Sequence, residues 1–169
     1  MRILLLAILL GSLLACTRQA PKKEGDEITV VGQRMPSFDI LLNDTVTKLN
    51  TTNIPEGQPV VFFFFGPDCP YCQQFTKNLT EHIDELRDIR FYMVSVASPH
   101  DIQHYDTLFS LNKYKNIVLG RDVKGYFISN YKAPGYPYMA VYDKHKKFKQ
   151  IIIGGVSIDS LKTVINSKS

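Results

Sequence analysis

Cys69 and Cys72 stand three residues apart, enclose Pro70 and Tyr71, and are the residues of this chain best suited to covalent chemistry. A thiolate attacks a disulfide sulfur, and a second thiol within reach resolves the mixed disulfide that forms. At a helix start, this spacing puts the first sulfur at the exposed end and the second one turn in. The first helical turn offers unpaired N–H groups and the positive end of the helix dipole, both favouring an anion. Pro70 suits the first helical position, where its missing N–H costs nothing. Cys69 is therefore the expected nucleophile and Cys72 the expected buried resolving thiol.

The flanking elements fit that placement. Val60 to Phe65 is an unbroken apolar run, the pattern of a strand buried on both faces. Gly66, Pro67 and Asp68 break it just before Cys69. After Cys72 the apolar residues Phe75, Leu79, Ile83 and Leu86 form one stripe, predicting a helix that ends near Arg87 or Asp88.

The chain has 169 residues, a formal charge of +4 and 44% hydrophobic composition, enough for one domain with a real core. Its scattered basicity gives no case for nucleic acid, and three cysteines make no disulfide scaffold. The third, Cys16, follows a positive start at Arg2, the apolar run Ile3 to Leu10, and Leu13-Leu14-Ala15. That is the layout of an export signal, too short for a comfortable permanent span. Leu-Leu-Ala-Cys resembles a bacterial lipobox, which implies cleavage before Cys16 and lipid on its thiol. Residues 1–15 are read as a lipoprotein signal peptide, 16–27 as a lipidated flexible tether, and 28–169 as the folded domain. Thr17 after the lipidated cysteine slightly favours the outer membrane by analogy with sorting rules.

Down the chain, weak alternation over 28–53 predicts a β-hairpin turning at Asn43-Asp44. Ile89 to Ala97 reads as a second core strand. Pro99 to Leu111 reads as a helix with Ile102, Tyr105, Leu108 and Phe109 inward. A short strand at Ile117 to Leu119 and a short helix from Val123 to Tyr131 follow. Strands at Tyr138 to Tyr142 and Phe148 to Gly154 flank a charged turn, and Ser157 caps a last helix.

This order, with Tyr136-Pro137 before an apolar strand, resembles the thioredoxin fold, and its hairpin and extra strand-helix insertion resemble the TlpA-like branch of exported thiol–disulfide oxidoreductases. The resemblance covers roughly Val31 to Asn166. It implies an α/β fold with a central mixed sheet, a Cys69–Cys72 disulfide in the oxidised form, and a cis Pro137 beside the thiols. Tyr136, Pro137, Pro70 and Tyr71 would contact substrate. The implied partners are protein disulfide or dithiol clients and a membrane or envelope redox partner, with the lipid holding the protein in the bacterial envelope, facing the periplasm. No cofactor, metal or nucleic acid is implied; the implied direction is reductive, with an oxidising or isomerising role left open by the Pro-Tyr dipeptide and the missing carboxylate. Two departures stand out. Phe63 occupies the place where many relatives bury a carboxylate, and Gln73, Gln74 and Phe75 fill the stretch where TlpA-like reductases often carry a Glu. Burial without an acid predicts a raised pKa for Cys72.

Other readings start from the same residues. Peroxiredoxins use Pro-x-x-x-Thr-x-x-Cys, but Phe62 and Gly66 stand where Pro and Thr would be, so peroxidase activity is not expected. Cys69 and Cys72 with a histidine (His82, His100, His104 or His145) could bind zinc or copper. Tyr126, Tyr131, Tyr136 and Tyr138 could form a protein-binding face of a non-catalytic lipoprotein. Lys144, Lys146, Lys147 and Lys149 read as a solvated hairpin tip.

Overall fold

The computed structural model describes residues 31–167; the signal peptide and tether expected at 1–27 lie outside them. Seven strands form one mixed sheet: β1 (Asp39–Leu42), β2 (Lys48–Asn50), β3 (Val60–Phe64), β4 (Arg90–Ser95), β5 (Ile117–Arg121), β6 (Tyr138–Tyr142) and β7 (Phe148–Ile153). Their order is β2-β1-β5-β4-β3-β6-β7. Strands β3, β4 and β5 run parallel to one another, and the hairpins at either edge pair antiparallel. The helices are α1 (Pro70–Glu81), α2 (Pro99–Phe109), α3 (Tyr126–Asn130) and α4 (Ile158–Asn166).

The apolar run places β3 at the centre, because only a strand covered on both faces can bury every residue. All five of its residues are buried. Val61, Phe63 and Phe65 face a core built with α1, α2 and α4. Val60, Phe62 and Phe64 face a second core with Phe38 and Ile40 from the hairpin and Phe127 from α3. Each buried Phe contributes about 1.5–3 kcal/mol.

Four helix expectations are corrected. α1 stops at Glu81, where His82 leaves helical geometry and its ring Nδ1 lies 2.9 Å from the Asn78 carbonyl. The stripe continues because Ile83–Leu86 is a 3₁₀ turn, whose period of three keeps Leu86 buried. α2 ends at Phe109 because Ser110 takes a left-handed conformation, φ 50°, and Leu108 is 57% exposed. α3 starts only at Tyr126, since Gly125 is left-handed at its cap and Asp122 Oδ2 accepts the Phe127 N–H at 2.9 Å.

The lysine tip is partly a staple. Lys146 Nζ donates to the carbonyls of Thr52 and Ile54 at 3.0 and 2.8 Å, and Lys149 Nζ donates to Ile165 O at 2.9 Å. The second cation thus sits on the C-terminal carbonyls of α4, where the helix dipole favours positive charge.

Candidate active site

The two cysteines sit where β3 ends and α1 begins. Cys69 is the N-cap of α1, extended at φ −77° and ψ 114°, and its Sγ accepts the Cys72 N–H at 3.4 Å. Pro70 follows in the first turn. Both thiols are free; Cys69 is half-buried and Cys72 fully buried. The connecting loop is held by its own backbone: Cys69 N–H donates to Gly66 O at 3.0 Å, and Gln73 Nε2 reaches back to Pro67 O at 2.8 Å.

Burial pushes the Cys72 thiol far above the ordinary range, and its hydrogen bond with the Cys69 side chain adds to this. The backbone N–H of Gly66 acts in the opposite sense. Phe63 and Phe75, with ring centres 4.8 Å apart, share the Cys72 core, so aromatic carbon stands where a carboxylate would. Asp68 is exposed.

Across from the thiols, the Tyr136–Pro137 bond is cis. Pro137 is buried, and its carbonyl accepts the Gly154 N–H at 2.9 Å. Among the described residues no backbone hydrogen bond engages the N–H or C=O of Tyr136. The Tyr136 ring packs 4.7 Å from Phe64 and is 40% exposed. Partial burial, then the nearby Cys72 and Cys69 sulfurs, hold its phenol above the usual value. Tyr71 is 71% exposed and Pro70 is also at the surface. The structure thus gathers Cys69, Cys72, Pro70, Tyr71 and Tyr136 at one end of the sheet. Cys16 lies outside the described residues.

The other candidate clusters disperse. Tyr131 and Tyr142 share a buried hydroxyl contact of 2.6 Å, Tyr138 donates to Tyr131 O at 2.9 Å, and Tyr126 stacks on Phe38. Of the four tyrosines offered as a binding face, Tyr131 and Tyr138 belong to the core. Among the described residues no three His, Cys, Asp or Glu side chains converge on one point. Two neighbours escaped sequence reasoning. Thr76 and Tyr105 share a buried hydroxyl contact of 2.7 Å in the Cys72 core, and only the four-residue step from Cys72 to Thr76 hinted at it. The other is Gly66, whose bare Cα lies against the Tyr136 ring.

A parallel β3–β4–β5 core, a Cys-x-x-Cys at the first helix and a proline opposite it define a thioredoxin-like fold. Residues 31–151 match the AhpC/TSA family, and the chain belongs to that family. An uncharacterized protein of Haemophilus influenzae is 26% identical over 132 residues, covering 73% of this chain and 82% of the relative. A secreted Mycobacterium tuberculosis disulfide oxidoreductase homologous to E. coli DsbE superposes with a TM-score of 0.62 at 18% identity, covering 75% of this chain and 92% of its own. The reduced 2-Cys peroxiredoxin of Plasmodium vivax gives 0.66 at 18% identity, covering 82% and 81%. The fold is common to both neighbours, so what separates their chemistries must be sought in side chains.

Proposed function

We propose that this protein is a thiol–disulfide oxidoreductase of the TlpA-like kind that reduces disulfides in client proteins of the bacterial envelope, facing the periplasm and held there by lipid on Cys16. One observation carries the reading: a half-buried sulfur caps a helix while its buried partner sits one turn in, beside an open backbone edge at Tyr136. The Cys69 thiolate attacks a client disulfide, forming a mixed disulfide and expelling one client thiolate. Cys72, once deprotonated, attacks Cys69 Sγ; the Cys69–Cys72 bond forms and the second client thiolate leaves. Two electrons pass to the client, and the two protons of the dithiol end on its thiols.

The N–H and C=O of Tyr136, without backbone partners among the described residues, suit an extended client segment, which pairs with them as a short added strand while Tyr71 and Tyr136 flank its side chains. The peroxidase alternative draws on the family and on the Plasmodium fold. Against it, Phe62 is a buried β3 residue and Gly66 brings no hydroxyl to Cys69.

Cys72→Ser in the full chain, expressed in a bacterial envelope, is expected to accumulate adducts on Cys69 that dissolve on reduction, and the trapped proteins name the clients. The reduced wild-type protein is expected to reduce insulin disulfides and Cys69→Ser to fail. No adducts together with no insulin reduction would overturn the reading in favour of a binding lipoprotein.

A further inference from the structure

The turn between β6 and β7 carries a block of charge that the thiol chemistry does not use. Residues 143–149 read Asp-Lys-His-Lys-Lys-Phe-Lys. Tyr142, just before the turn, pairs with Val60 at the start of β3, whereas Cys69 follows the other end of that strand. Two of the four lysines are spent inside the fold, Lys146 on the carbonyls of Thr52 and Ile54 and Lys149 on that of Ile165. Lys144 and Lys147 are exposed. Arg34, also exposed, adds a third cation beside them, because its backbone bridges Lys147 in antiparallel register. The ion pairs among the described residues, His100–Asp101, His145–Glu56 and Lys162–Glu85, leave all three out.

The acids of this pole do not cancel that charge. Asp143 Oδ1 accepts the N–H groups of His145 and Lys147 at 2.8 and 2.9 Å, so it is engaged by its own turn. Glu56 lies 4.0 Å from His145. Asp88 lines the hollow between this turn and the end of α4. The four lysines and Arg34 outnumber these three carboxylates, and the surface is positive.

The way the chain enters the fold points to the partner. Gly32 N–H donates to Phe148 O and Met35 N–H to Lys146 O, both at 2.8 Å, so the chain joins the sheet at this same turn. Only a short stretch separates Cys16 from Arg34, and an anchor at Cys16 keeps the three cations near the bilayer. An anionic surface attracts each such cation while it lies within a Debye length.

We propose that Arg34, Lys144 and Lys147 form a docking face for anionic lipid headgroups, which sets the domain on the bilayer by the pole opposite the thiols. The inference rests on the anchored reading above for the reason this pole meets a bilayer, and it names the side chains that orient the domain there.

Sedimentation with vesicles tests it on the full chain carrying Cys16→Ser, so that no lipid on the thiol takes part. Phosphatidylcholine vesicles are set beside vesicles in which a third of the lipid is phosphatidylglycerol. The apolar start of the chain contributes to both, so the ratio of the two partition coefficients reads charge. That ratio is expected to fall about fivefold for each cation removed, and about a hundredfold in Arg34→Gln/Lys144→Gln/Lys147→Gln. It is expected to approach one for every variant in about 0.5 M salt. Lys77→Gln/Lys124→Gln/Lys132→Gln removes the same charge from exposed positions elsewhere, and its ratio is expected to stay within about fivefold of the parent. An equal fall in both triple variants would overturn the proposal, leaving only the attraction of the whole chain's net charge. A parent that shows no preference for the anionic vesicles would overturn it as well. Neither result touches the lipid on Cys16, because the chain measured has none.

Discussion

Cys72 occupies a position that resists its own ionisation, and that resistance has a consequence for stability. In the unfolded chain this thiol ionises near its ordinary value of 9.0, whereas burial keeps it protonated in the native state well above that. Above pH 9 the unfolded state has therefore lost a proton that the folded state retains. Stability then falls as pH rises, by up to about 1.4 kcal/mol per pH unit for one proton. The contribution is complete below pH 9 and disappears only as pH climbs through the folded value. Urea unfolding of the reduced protein at pH 8, 9, 10 and 10.5, set beside Cys72→Ala, isolates this effect, because Cys69 and the buried tyrosines are common to both. The wild type is expected to lose its margin over the variant steadily above pH 9. Parallel curves would mean that Cys72 ionises freely in the native state.

Among the elements, the edge hairpin joins the sheet through a short ladder, and Gly120 allows it. β1 meets β5 only at Leu41↔Arg121 and Leu42↔Gly120. A Cβ at Gly120 would stand 2.8 Å from the Leu41 carbonyl and closer still to Ile40 Cγ2. Gly120→Val is therefore expected to cost about 1–3 kcal/mol, read as a lower urea midpoint, with hydrogen exchange rising first in β1 and β2. Such close approaches mark the limit of what the sequence discloses. The apolar run Val60 to Phe65, the cysteine spacing and Pro137 before an apolar strand were legible because each is a local pattern with one good structural solution. The end of α1 was not, because the stripe runs unbroken through a change from a period of 3.6 to a period of three at His82. Nor was the start of α3, where Asp122 supplies the cap from outside the helix. The seat of Tyr136 on Gly66 joins residues 70 positions apart, and nothing local to either one announces it.

At the scale of the whole molecule, the sheet separates the entry of the chain from the cysteines. Gly32 N–H donates to Phe148 O, Met35 N–H donates to Lys146 O, and Phe148 pairs with Tyr142, the residue opposite Val60 at the start of β3. Cys69 follows the other end of β3, where Phe64 pairs with Tyr138. Five strand residues, about 16 Å, therefore lie between the point where the chain joins the sheet and the end that carries the thiols. A lipid on Cys16 would attach the domain at the far pole and leave Cys69, Tyr71 and Tyr136 at the opposite end of the sheet, open to clients in solution. Anchoring and chemistry should then be separable. In a bacterial host the full chain is expected in the membrane fraction and Cys16→Ser in the soluble one, with Cys69 of both alkylated at the same rate by a charged maleimide in opened cells. Slower alkylation of the anchored form would place the thiols against the membrane and count against this orientation. An unchanged membrane fraction for Cys16→Ser would remove the lipid anchor from the account and leave the exchange chemistry untouched.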